Sequence, residues 1–270
     1  MDGHKSLLLI LALAMGCTGC VTSHEQKVTL RGHDDPAPFA APIKEEAKKP
    51  APPRVLIAMA EMREREADLA KDRPESQARM RDEARRAYQE LLKNDPDNID
   101  GYRGLARVYT SMGDYDRAAD TYKKALAKNP REVNLWHDFG IMHDRRRDWA
   151  EGARCFQKAL EFDPENQHCL KALGFTLARA GQIDQSMIYL TRAMGSTVAA
   201  HTNVALMLLH VAEQEPGNPA SRQELARQHL HMALQENPNY ERARELLASL
   251  DGQAAIPTRG TVEIQFDAGQ

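Results

Sequence analysis

Three short stretches, Asn94-Asp95-Pro96, Lys128-Asn129-Pro130 and Phe162-Asp163-Pro164, end at prolines spaced 34 residues apart. This period constrains the fold more than any other feature of the chain. A unit of that length is too short to enclose a core of its own. Repeated units must therefore bury their apolar faces on one another, which produces a stack. Each proline disfavours helix at the residue before it and so ends a helix in every unit.

Aligning on those prolines exposes the rest of the pattern. An aromatic near the start of the unit is Tyr102, then Trp136, then replaced by Leu170. Large-then-small pairs follow at Leu105-Ala106, Phe139-Gly140 and Leu173-Gly174, and then Tyr109, His143 and Leu177. The second half of the unit carries small Ala118, Gly152 and Ser186, large Tyr122, Phe156 and Leu190, and small Ala125, Ala159 and Ala193. Large side chains fill the space between helices, and small ones let backbones approach. Gly113 and Gly181 suit a left-handed residue closing the first helix. Arg147 stands in that place in the middle unit, so its turn is expected to differ.

This pattern resembles the tetratricopeptide repeat. The resemblance implies an all-α, right-handed solenoid of helix-turn-helix repeats at about 55–98, 99–132, 133–166, 167–197 and 198–239. A cap helix is expected over 240–250, closing a repeat domain of 55–250, and a tail over 251–270. The fifth repeat is expected to carry a lengthened turn through "EQEPGNPAS" (213–221).

The N-terminus has its own chemistry. A lysine precedes the apolar run "SLLLILALAM", too short to span a bilayer comfortably but suited to a signal-peptide core. The run ends in Leu13-Ala14-Met15-Gly16-Cys17, which resembles a bacterial lipobox. That resemblance implies a signal peptide over 1–16, acylation of Cys17, and an outer-membrane address, because Thr18 follows. An ordinary signal peptide is the alternative. Residues 17–54 are rich in proline, alanine and charge and read as a tether, with an end-to-end distance of roughly 30 Å as a coil.

Two His-Asp dipeptides, His137-Asp138 and His143-Asp144, raise the question of a metal or acid–base site. Residues six apart on a helix differ by about 240° in direction, so the pairs face different ways. A helical chelate wants a spacing of three or four. No metal, no cofactor and no enzyme activity are expected, and a His/Asp hydrolase is the reading that the spacing opposes. His201 with His210, and His229 with His231, also lack chelate spacing. Cys155 and Cys169 read as small, semi-buried residues, with an approach to each other in an oxidising compartment as the alternative. A net charge of -3 gives no sign of a nucleic-acid partner.

In the tetratricopeptide family the first helices line a groove that holds a peptide. Carried over by position, the resemblance assigns Arg103, His137 and Lys171 to that groove. It likewise assigns Arg107, Ile141, Phe175 and Leu206, together with Arg145 and Arg179. Ile141, Phe175 and Leu206 are expected to form a bare apolar row flanked by basic groups. Such a row fits a protein or peptide partner with apolar anchors and acidic groups. Filling of the groove in cis by the tether or the tail is the alternative. The tail alternates Val262, Ile264 and Phe266 with polar residues, a strand signal too short to stand alone. Together these features point to an envelope scaffold or assembly factor resembling pilus-assembly lipoproteins. An adaptor for cell-wall or outer-membrane enzymes is the alternative.

Overall fold

A computed structural model of the chain describes residues 51–214 and 219–252. Cys17, the tether up to residue 50 and the tail beyond residue 252 lie outside the described residues. Helices α1 (Pro53–Leu69), α2 (Pro74–Asn94), α3 (Ile99–Ser111), α4 (Tyr115–Lys128), α5 (Val133–Arg145) and α6 (Trp149–Phe162) come first. Then follow α7 (Gln167–Arg179), α8 (Ile183–Met194), α9 (Thr197–Gln214), α10 (Pro219–Glu236) and α11 (Glu241–Leu250). No strand occurs among the described residues. The fold is an all-α array of helical hairpins, with none of the described helices long and apolar enough to cross a membrane.

The turns between units follow from their sequence. Asn98 and Asn166 cap α3 and α7, accepting hydrogen bonds from the backbone N–H of Gly101 (2.9 Å) and Cys169 (3.0 Å). Each asparagine also donates to the aspartate before the proline, Asp95 or Asp163, at 2.9 Å. Glu132 holds the equivalent place before α5 without a side-chain cap.

The core is built from the repeated large positions. Tyr88, Tyr122, Phe156 and Leu190, each 34 residues after the last, are all fully buried. Tyr88, Phe156 and Leu190 fill the space left by glycines on facing helices, Gly104, Gly140 and Gly174. A Cβ on Gly140 would lie 2.6 Å from the Phe156 ring, and one on Gly174 2.6 Å from Leu190. Gly152 approaches the Gly140 carbonyl so closely that its own Cβ would come within 3.2 Å.

Each second helix packs on the first helix of the next unit, and successive first helices also pack on one another, from α1 on α3 to α7 on α9. The first helices therefore share one wall of the array. Its two ends differ. The α11 helix packs on α10, whereas α1 has no preceding helix among the described residues, and Val55, Met59, Met62 and Leu69 stand exposed along it.

Two local expectations are corrected. The middle turn does not differ, because Arg147 takes the left-handed conformation (φ 66°) that Gly113 (77°) and Gly181 (78°) take. The backbone bonds repeat with it: Asp114 N–H donates to Tyr109, Asp148 to His143 and Gln182 to Leu177, at 2.8–2.9 Å. Nor does the expected turn take up all of 213–221, of which 215–218 lie outside the described residues. The helical pattern simply continues, so that α9 runs through Gln214 and α10 starts at Pro219, a residue suited to a first helical turn. Each of these helices has 18 residues, against 13 in α7 and 12 in α8.

Candidate functional site: the wall of first helices

The His-Asp dipeptides of α5 hold three repeats together. Asp138 accepts a hydrogen bond from Arg103 Nε on α3 at 2.7 Å, and His137 Nδ1 lies 3.2 Å from its other oxygen. Asp144 reaches the opposite way, accepting from Thr176 Oγ1 on α7 at 2.7 Å and pairing with Arg179 of the same helix. Both aspartates are buried. Burial alone would raise the Asp138 pKa, but the hydrogen bond from His137 and the charge of Arg103 outweigh it and hold the carboxyl below its usual range.

The same device recurs towards the N-terminus. Arg107 on α3 bonds Glu64 on α1 at 3.0 Å, and Tyr88 OH donates to the same carboxylate oxygen at 2.6 Å. Burial opposes the Arg107 charge, yet Glu64 more than compensates and raises its pKa. Burial, with Glu64 assisting, raises that of Tyr88.

The histidines go elsewhere. The His137 ring lies 5.7 Å from that of Phe156, while His143 packs 4.7 Å from Phe139 with its Nδ1 3.3 Å from Asp148. No cluster of three or more metal-ligating side chains occurs among the described residues. Cys155 and Cys169 are buried free thiols, and burial pushes both pKa values up to about 12, which suppresses the thiolate.

A half-open cleft of about 170 Å³ lies on this wall. Ile141 and Arg145 of α5 line it with Glu64, Asp68, Arg81 and Arg107. Arg81 keeps a buried Nε without a hydrogen-bond partner, and Arg145 is exposed. These two arginines carry the cationic groups of the cleft that no described carboxylate neutralises.

The expected groove residues thus divide. Ile141, Arg107, His137 and Arg145 meet at the cleft. Arg103, Arg107 and Arg179 are not free cations flanking a groove, since each already holds a carboxylate of a neighbouring repeat. The bare apolar row is corrected as well. Phe175 is only 7% exposed and belongs to the core beneath α9, and Leu206 packs half-buried against that core. Long α9 covers α7 and removes the expected row. Lys171 is half-buried and lies away from the residues that line the cleft.

One constellation escapes spacing arguments altogether. His201 Nδ1 on α9 and His229 Nδ1 on α10 lie 2.8 Å apart. Searching for ligands three or four apart on one helix cannot find a pair across two. Aligning the repeats could have found it, because His201 holds the slot of Tyr102 and Trp136, and His229 directly precedes the buried Leu230.

Two family models cover most of the helical array. Residues 102–233 match the Cilia and flagella-associated protein 70 middle TPR-like domain, and residues 56–98 match the tetratricopeptide repeat. The chain belongs to the tetratricopeptide-repeat superfamily. Among curated relatives, the photosystem I assembly protein Ycf3 of Prochlorococcus marinus (strain NATL1A) is 35% identical over 72 residues, covering 26% of this chain and 42% of that one. The general transcriptional corepressor ssn6 of Schizosaccharomyces pombe is 32% identical over 79 residues, 28% of this chain and 7% of that one. The matches thus span less than half the length of these relatives. Among solved structures, a MamA protein aligns at 16% identity over 70% of this chain and 95% of that one, with a TM-score of 0.47. Pseudomonas aeruginosa pilF aligns at 18% identity over 74% and 87%, with a TM-score of 0.46.

Proposed function

We propose that this tetratricopeptide-repeat protein is a non-enzymatic scaffold of the bacterial envelope, tethered to a membrane through acylated Cys17. Its partner is a protein or peptide whose apolar side chain sits on Ile141 and whose carboxylate meets Arg145 and Arg81. The observation that carries the reading is the cleft beside α5. There a partly apolar floor adjoins Arg145 and the unpartnered Nε of Arg81. A carboxylate supplied by a ligand gains a charge-assisted bond to exposed Arg145. The role is assembly of an envelope machine. Pilus biogenesis is the form suggested by the lipobox and repeats, and an adaptor for cell-wall enzymes is the other.

The test uses a photo-crosslinking residue at Ile141 in intact cells. One specific protein should be crosslinked, and Arg145→Glu should remove that adduct while leaving melting unchanged. Arg146→Glu, whose wild-type side chain points to Asp116 at 3.7 Å outside the cleft, should keep it. Wild-type crosslinking in the Arg145→Glu protein would end the cleft reading. Alkyne fatty-acid labelling addresses the anchor separately, with label expected on the wild type and absent from Cys17→Ser.

A further inference from the structure

The fifth hairpin carries chemistry that the other four lack. Two imidazoles meet across α9 and α10 with Nδ1 atoms 2.8 Å apart, ring centroids 5.1 Å apart and planes at 43°. His229 is buried and fixed in the hairpin interior, whereas His201 is half-exposed. The arrangement therefore has one ring buried in the hairpin and one partly exposed. Neither ring bonds any other described group. Two carboxylates stand within electrostatic reach, Glu236 of His201 and Asp184 of His229. Glu236 is itself held in place by Thr197 Oγ1 at 2.5 and 2.6 Å.

We propose that His201 and His229 form a two-imidazole site for one late first-row divalent ion, of the Zn²⁺, Cu²⁺ or Ni²⁺ class, which clips α9 to α10. Ligand nitrogens at about 2.0–2.1 Å from a tetrahedral ion lie roughly 3.3 Å apart, so the two rings need separate by only about half an ångström. Imidazole suits these ions, and the flanking carboxylates offset the cost of placing a dication beside a helix pair. With no third protein ligand among the described residues, water completes the coordination shell, entering on the His201 side. Protons balance without an acid or base. In the ion-free pair one Nδ1–H donates to the other Nδ1. On binding, that proton moves to Nε2 of the same ring, so both imidazoles stay neutral and both Nδ1 lone pairs face the ion. The site lies on the last hairpin, among none of the residues that line the cleft, so it stands or falls apart from the partner reading.

The experiment is equilibrium dialysis of untagged full-length protein against Zn²⁺, with elemental analysis and thermal melts before and after EDTA. One equivalent of zinc should bind, raise the melting temperature and be removed by EDTA. His201→Gln should retain the EDTA-treated melting temperature yet lose that zinc. Removal of a ligand should weaken binding by more than the roughly 10–100-fold typical of losing an outer-shell partner. His229→Gln should behave alike; if that buried substitution unfolds the hairpin, His201→Gln decides alone. His231→Gln, on the exposed face of α10, should bind as wild type does. With Cu²⁺ as probe, electron paramagnetic resonance should show two nitrogen ligands in the wild type and fewer in His201→Gln. No bound zinc, or zinc retained in full by His201→Gln, overturns the proposal.

Discussion

The array joins its first helices by two kinds of chemistry. From α1 to α7 the links are charged, with Glu64 to Arg107, Asp138 to Arg103, and Asp144 to Thr176 and Arg179. From α7 to α9 the link is apolar, with Phe175 and Ala178 against Val198, Ala205 and Leu208. Charged links are directional and leave polar side chains beside a cleft, where a ligand can compete for or extend them. Apolar links close the surface, and Phe175 is buried beneath α9. The position within the repeat therefore does not decide whether a residue is available to a partner. The side chains that the next first helix presents, apolar or charged, do.

Two substitutions of similar large effect would break this comparison from either side. Asp144→Ala leaves the largely buried Arg179 guanidinium and the buried Thr176 hydroxyl without their partner. Breaking a buried pair in this way costs about 3–5 kcal/mol. Chemical denaturation should show that loss, and hydrogen exchange should place it at α5 and α7. A loss under about 1 kcal/mol would mean the pair is surface-like in solution. On the apolar side, Phe175→Ala should cost about 3–5 kcal/mol as a cavity under α9. A near-neutral result would return Phe175 to the groove and undo the division drawn here.

These contrasts bear on what the sequence could disclose. The repeat period and the alternation of large and small residues are short-range facts, and they lead to the all-α hairpin array. Tyr88 is buried against Gly104, Phe156 against Gly140 and Leu190 against Gly174, each a small residue on a facing helix. The cross-repeat bonds are different. Arg103 finds Asp138 and Arg179 finds Asp144 at separations of 35 residues, one in each direction along the chain. Nothing in either local pattern says which neighbour a charged side chain will choose. The cover over Phe175 depends on which side chains α9 brings against α7, and helical stability of this kind comes from packing more than from propensity. The His201–His229 pair required comparing two helices, whereas spacing rules compare residues within one.

A third prediction sharpens the charged side with pH. Asp138 has its folded pKa lowered, since the His137 hydrogen bond and the Arg103 charge prevail over burial. A lowered carboxylate pKa stabilises the fold above the unfolded value of about 3.9, and that stability is lost as pH falls below it. Stability should therefore decline in acid below about pH 4 with a step that Asp138→Asn lacks. Hydrogen exchange should place the early loss at α3 and α5 and leave α9 and α10 unaffected over the same step. A uniform loss along the array would show that the two kinds of link are not separable.

The smallest expected effect tests the turn that joins α5 to α6. Arg147 adopts φ 66° in a turn whose bonds match those at Gly113 and Gly181. A side chain in that conformation costs about 1–2 kcal/mol. Glycine removes the cost but adds about 0.5–1 kcal/mol of unfolded-state freedom. Arg147 also makes contacts of its own, which offset part of the gain. Arg147→Gly should therefore stabilise the domain by at most about 1 kcal/mol, read as a small rise in the denaturation midpoint at constant slope. The reciprocal Gly113→Arg should lower it by a comparable amount, since its open surroundings leave only the backbone conformation to oppose a side chain. If Arg147→Gly instead destabilises, the side-chain contacts of Arg147 outweigh its backbone strain. The centre of the charged half would then depend on one more arginine than the buried pairs supply.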